Sequence, residues 1–165
     1  MTLTAHGIVG GAIVSLMPAH PVIGLCLAFA CHFLLDAIPH WEYPIQSDSV
    51  NPKIGAAMRY DRALLIDMLT IGFDGALGVA CALLLFATRD NIALVASGAC
   101  AAIFPDVLQF VYTRFPHEPL SSLQRFHEWA HSSTSLNTRP IFGIASQATL
   151  IFVIAIIVRT ANLIG

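Results

Sequence analysis

Long apolar runs, broken by short polar stretches, set the pattern of this chain. Three of them are long enough to cross a membrane as helices: 63–87 after Asp61-Arg62, 92–113 after Arg89-Asp90-Asn91, and 141–158 between Pro140 and Arg159. Either Asp90 or Asn91 can cap the second of these. Two further runs, 4–17 and 21–38, are apolar but short, and Pro18-Ala19-His20-Pro21 must separate them. They read as two short spans or as a re-entrant helical hairpin, and in both cases Met1 and His40 end on one side. Segment 119–133 has a different rhythm. Leu120, Leu123, His127 and His131 recur at helical spacing among polar residues, which predicts an amphipathic helix opened by Pro119 in its first turn. The expected architecture is an all-α integral membrane protein: about five transmembrane or re-entrant helices plus one amphipathic loop helix, in a single domain over 1–165.

Threading these runs back and forth sorts the polar residues. If the side of Met1 is called side A, segments 39–62 and 114–139 lie there, while 88–91 and the C-terminal end lie opposite. Side A then carries Lys53, Arg59, Arg62, Arg114, Arg125 and Arg139, against Arg89 and Arg159 on the other side. The positive-inside rule makes side A cytoplasmic, placing the chain in the cytoplasmic (inner) membrane with its N-terminus in the cytoplasm. Trp41, Tyr43 and Tyr60 suit an interfacial belt on that side.

Composition agrees with the class. The chain has 165 residues, 56% of them hydrophobic and 11% charged, with a mean hydropathy of +0.74, unlike a soluble domain of that size. A net charge of −2 gives no footprint for nucleic acid, so none is expected as a partner. Met1-Thr2-Leu3-Thr4 has no basic n-region, so no signal peptide is expected. Cys26, Cys31, Cys81 and Cys100 all lie in apolar runs without a CxxC pair and read as small core residues. Nothing in the chain specifies an oligomeric state.

The same threading gathers ionisable groups at the side-A edge, where their cost next to hydrocarbon implies a purpose. His6 lies about a turn inside the first run. His32-Phe33-Leu34-Leu35-Asp36 sets an imidazole and a carboxylate one helical turn apart, so both can reach one ion. His40 follows just beyond Pro39. Asp106 sits behind Pro105, whose missing N–H can open room in the helix for a cofactor. His127-Glu128-Trp129-Ala130-His131 matches H-E-x-x-H, in which two imidazoles at i and i+4 hold a metal and the glutamate activates water. Asp67 is at a depth suited to a ligand or to orienting one. Asp74 shares its face but lies deeper than this centre, and His20 reads as a turn residue. Each also has a plain alternative: His32–Asp36 as interhelical glue, Asp106 satisfied by a neighbouring Thr or Gln, His127 and Glu128 exposed on a surface helix, His6 as an interfacial residue.

In the order and wording of these blocks the chain resembles the family of membrane-bound metal-dependent hydrolases whose bacterial members include LexA-regulated inner-membrane proteins. The matching blocks are Thr4-Ala5-His6-Gly7-Ile8-Val9-Gly10, the helix end His32-Phe33-Leu34-Leu35-Asp36-Ala37-Ile38-Pro39-His40, then Pro105-Asp106, then Arg125-Phe126-His127-Glu128-Trp129-Ala130-His131-Ser132. The resemblance implies an all-helical membrane protein with a metal-dependent hydrolytic site acting on a phosphate ester or lipid-like substrate. The chain departs from the family pattern in lacking a compact H-R-x-x-T-H block after the second helix; His127 and His131 stand in for it.

The expectation is therefore a hydrolase at the cytoplasmic membrane edge using one or two divalent ions, with zinc the first choice. His6, His32, Asp36, Asp106, His127 and His131 are the candidate ligands, since six are too many for one tetrahedral zinc. Glu128 is the candidate base, His40 a proton donor or substrate contact, and Asp67 or His40 the alternative base. Arg62, Arg114 and Arg125 could hold an anionic head group of a substrate arriving from the bilayer. An intramembrane zinc protease similar to the site-2 class is the first rival. The second is a haem-binding or metal-transport module, although the three clear spans contain no histidine.

Overall fold

The computed structural model describes residues 1–47, 50 and 59–164, and these form an all-α bundle. Its helices are α1 (Leu3–Ser15), α2 (Pro21–Asp36), α3 (Arg62–Phe86), α4 (Ile92–Tyr112), α5 (Leu120–Ala130) and α6 (Pro140–Ile164). Of these, α3, α4 and α6 are long and apolar enough to cross a membrane. Lys53, one of the basic residues assigned to side A, lies outside the described residues. The expected boundaries shift by at most three residues, except that α6 runs to Ile164 rather than 158.

The bundle is organised around α1. It is the shortest of the apolar helices, about 20 Å at 1.5 Å per residue, and it is buried on nearly every side. It packs against α2, α3, α4 and α6. Small residues allow this: Gly10 meets the backbone of Gly98 and the methyl of Ala102 in α4, while Gly7 and Gly11 face Gly78 and Ala82 of α3. A helix that starts inside a bundle has N–H groups with no water to bond. Asp74, from the middle of α3, solves this for α1, accepting from Leu3 N at 2.7 Å and Thr4 N at 3.1 Å. Asp74 is thus a cap supplied by another helix, which accounts for its depth.

By contrast, α2 has two distinct faces. Gly24, Ala28, Cys31, His32, Leu35 and Asp36 are buried, while Val22, Ile23, Leu27 and Leu34 are exposed on the outer surface, as lipid-facing positions should be. Two of the four cysteines correct the core reading: Cys31 is buried and Cys81 half-buried, but Cys26 and Cys100 are exposed.

The segments expected on side A meet. Ser132 N donates to the Asp36 carbonyl at 2.8 Å and Leu136 N to the His40 carbonyl at 2.9 Å, and Glu42 N donates to Asn137 Oδ1 at 2.9 Å. Gln147 of α6 fastens the frame, donating to the Trp41 carbonyl at 2.8 Å and accepting from Thr2 N at 3.2 Å. This lattice of backbone bonds holds the stretch after α2 against the stretch after α5.

Candidate metal centre

Four side chains from three helices converge at the end of α2. His32 and Asp36 come from its last two turns, Asp106 from α4 behind Pro105, and His127 from α5. The five distances known between their ligand-type atoms run from 3.1 to 3.9 Å: His32 Nε2 to Asp36 Oδ2 3.1, His127 Nε2 to Asp36 Oδ2 3.1, His32 Nε2 to His127 Nε2 3.3, His32 Nε2 to Asp106 Oδ1 3.6 and His127 Nε2 to Asp106 Oδ1 3.9 Å. Four ligands about 2.0–2.1 Å from a tetrahedral zinc stand roughly 3.4 Å apart, so these edges are already of the right size.

The protonation of His32 strengthens the point. Its Nδ1 lies 2.8 Å from the Ala102 carbonyl, which can only accept, so Nδ1 carries the proton. In the neutral ring Nε2 is then a bare lone pair aimed at two carboxylates. Acceptors gathered this way need a proton or a cation among them, and a carbonyl behind the ring is how ligating histidines are oriented. Pro105 donates no N–H and crowds the carbonyl of residue 101, so it disturbs the ladder of α4 beside this contact.

His6 is present but differently employed. Its Nε2 lies 3.1 Å from Asp36 Oδ1 and its ring stacks on His32 with centroids 4.0 Å apart. It holds the Asp36 oxygen that His32 and His127 do not contact and stays outside the group of four.

A second cluster adjoins the first. His40 Nε2 and His131 Nε2 lie 2.9 and 3.0 Å from the same oxygen, Glu42 Oε1. One ligand atom each from Asp36, His40 and His131 also fall within 4.8 Å of one another. The Met1 amino nitrogen stands among them, 2.7 Å from Asp36 Oδ1, 2.9 Å from His40 Nε2 and 3.5 Å from Glu42 Oε1. Hydrogen bonds from His131 and His40 hold the Glu42 carboxyl well below its usual range, and Glu42 in turn raises the His131 imidazole above its own. The sequence reading missed Glu42. Its signal was the alternation His40-Trp41-Glu42: in an extended segment, residues two apart point the same way.

The expected pairing of His127 with His131 on one ion is corrected. Helix α5 ends at Ala130, and His131 adopts an extended conformation with φ −67° and ψ 136°. His131 N still donates to the His127 carbonyl at 2.9 Å, but the two side chains diverge: His127 Nε2 turns to Asp36 and His131 Nε2 to Glu42. Glu128 belongs to neither cluster. It lines the chamber above them and accepts from Gln124 Nε2 at 3.0 Å. Asp67 stands apart, receiving Gln46 N at 3.1 Å and Ser47 N at 2.7 Å, so it anchors the 46–47 backbone to α3.

The two clusters open into a polar chamber of about 420 Å³ whose walls include Asp36, Glu42, Asp106, His127, Glu128 and His131. Beside it lies a second cavity of about 470 Å³ with an apolar wall of Ile45, Met68, Ile71, Val107 and Phe110. The cavities share Met1, Glu42, Asp106 and Gln109. Arg62, Arg114 and Arg125 line neither; Arg125 bonds Glu118 at 3.0 Å and Arg114 sits over the Phe110 ring. His20 and His117 are exposed and belong to neither cluster.

Compared with protein-family models, curated proteins and solved structures, the chain matches none. The fold and the clusters therefore define a class only: an all-helical protein with membrane-crossing helices and a His/Asp cluster able to bind a metal ion.

Proposed function

We propose that the chain is a membrane-embedded metal-dependent hydrolase whose ion, zinc by ligand type and geometry, is held by His32, Asp36, Asp106 and His127. The observation that carries this reading is the near-tetrahedral spacing of those four ligand atoms at the wall of an open chamber. A divalent ion bound there would supply a Lewis acid and make water acidic enough to react near neutral pH. Glu128 takes the proton from the attacking water, with Gln124 steadying its carboxylate. His6 and the Ala102 carbonyl fix the orientation of Asp36 and His32.

The substrate class is a phosphate ester carrying an apolar tail. Support comes from the two cavities: a polar chamber for the head group shares walls with an apolar one lined in part by α3 and α4, whose Met68 and Val107 are exposed on the bundle surface. The distribution of Arg59, Arg62, Arg114, Arg125 and Arg139 supports a cytoplasmic position for this mouth in the inner membrane. The protease reading loses ground because its motif is split between two clusters.

The test combines metal content and turnover. Detergent-purified protein should carry zinc or another divalent ion, and His32→Ala with Asp36→Ala should lose it from this position. Against phosphate-ester amphiphiles, Glu128→Gln should keep the ion and lose about 10²-fold or more in turnover. A metal-free wild type that keeps hydrolysing after chelation would overturn the reading. Full activity in Glu128→Gln would move the base elsewhere.

A further inference from the structure

We infer that the same chamber holds a second divalent cation, bound by His40, Glu42 and His131, with Asp36 as the carboxylate common to both positions. This rests on the reading of His32, Asp36, Asp106 and His127 as a metal position, and it deepens that reading.

The first argument is tautomeric. His40 Nδ1 lies 2.6 Å from the Ile38 carbonyl and His131 Nδ1 lies 3.2 Å from the Ser132 carbonyl. Each carbonyl can only accept, so each Nδ1 carries the proton. The neutral rings then present bare Nε2 atoms to Glu42 Oε1, at 2.9 and 3.0 Å. This is the arrangement seen at His32, repeated twice: carbonyl behind, lone pair in front, carboxylate opposite. The Met1 ammonium, 2.9 Å from His40 Nε2 and 3.5 Å from Glu42 Oε1, supplies part of the positive charge that these acceptors need. A divalent ion would supply it to all of them at once.

The second argument is the division of labour on Asp36. Its Oδ2 faces His32 and His127 at 3.1 Å, while its Oδ1 lies 2.7 Å from the Met1 amino nitrogen, which is itself 2.9 Å from His40 Nε2. The two oxygens thus look into two adjacent spaces, and the second already attracts a positive group. The third argument is rigidity. The ligands come from separate stretches of chain, yet the Ser132–Asp36 and Leu136–His40 backbone bonds lock those stretches together. Such preorganisation favours a specific ion over a loose charge pair. Two cations sharing a carboxylate form a clamp for both the entering and leaving oxygens of a phosphoryl centre, the chemistry a phosphate-ester substrate needs.

The experiment is stoichiometric loading of the full-length protein in detergent with Zn²⁺ and, separately, Mn²⁺. Metal per protein is read by mass spectrometry, and spin coupling between Mn²⁺ ions by electron paramagnetic resonance. Wild type should bind two equivalents and show a coupled Mn²⁺ signal. Glu42→Gln with His131→Ala should bind one and show an isolated-ion signal, as should Asp106→Asn with His127→Ala from the other side. If a double variant fails to fold, wild-type stoichiometry and coupling still decide. A single equivalent in wild type, unchanged by Glu42→Gln with His131→Ala, overturns the second position and leaves the proposed function standing; the amino group would then hold that place. Two equivalents that neither double variant reduces also overturn it. No bound metal at all overturns both.

Discussion

At the scale of single residues, the centre is a problem of arranging acceptors. Asp36 is almost fully buried and takes its hydrogen bonds or ion contacts from His6, His32, His127 and the Met1 amino group. A buried carboxylate with so many partners is costly to disturb, because several buried polar groups lose a counterpart together when the charge goes. His6 is the informative member of the set. Counted among the ligands by sequence, it is placed by the structure on the other oxygen of Asp36, where it orients rather than ligates. His6→Gln should therefore weaken zinc binding by about 10- to 100-fold, the usual cost of removing a group that orients a ligand. Competition with a chromophoric chelator measures this. Complete loss of one metal equivalent would instead return His6 to the ligand sphere.

Elements explain which of these residues could be read from the sequence. The long helices were legible because length and apolarity suffice to identify them. His32 and Asp36 were legible because helical spacing alone brings them to one face. His131 was legible as a candidate ligand but its partners were not, since the H-E-x-x-H reading assumed a helix to 133, whereas the polar run Ser132-Ser133-Thr134-Ser135 follows its actual end at Ala130. There Ser132 N leaves the helix to bond the Asp36 carbonyl, a long-range contact that no local pattern announces. Glu42 was missed for the complementary reason: it lies in an extended stretch, where the period is two rather than 3.6. The role of α1 was half visible. Its glycines signalled close approach, but its central, enclosed position depends on partners from four other helices. A side chain at Gly98 would meet Val14 and the Gly10 carbonyl of α1. Gly98→Val should thus destabilise the bundle by about 1–3 kcal/mol through overpacking, or more where the backbone cannot shift. Thermal unfolding in detergent checks this, with Gly72→Ala as the control, since a methyl group there meets nothing within 4 Å.

For the whole molecule, the decisive fact is that two loops far apart in sequence close over one end of the bundle. The hydrogen bonds between 36–42 and 132–137 place those stretches together whatever the surrounding medium. The turn at Thr88–Asn91 joins the opposite ends of α3 and α4. If α3 and α4 cross a bilayer, as their length and apolarity allow, the clusters face one compartment and Asp90 the other. Asp106 lies six residues before the end of α4 at Tyr112, about 9 Å along the axis, so the centre stands close to that end of the helix. Single cysteines at Thr138 and Asp90, both exposed, test this in a background with the four native cysteines replaced. In intact cells an impermeant maleimide should label Asp90→Cys, and Thr138→Cys should react only after permeabilisation, as the basic residues on the Thr138 side require. The reverse labelling would keep the fold and the centre but turn its mouth to the outside. Labelling of both positions from one side would mean that α3 and α4 do not cross, and the apolar cavity they line in part could not then receive a substrate tail from the bilayer.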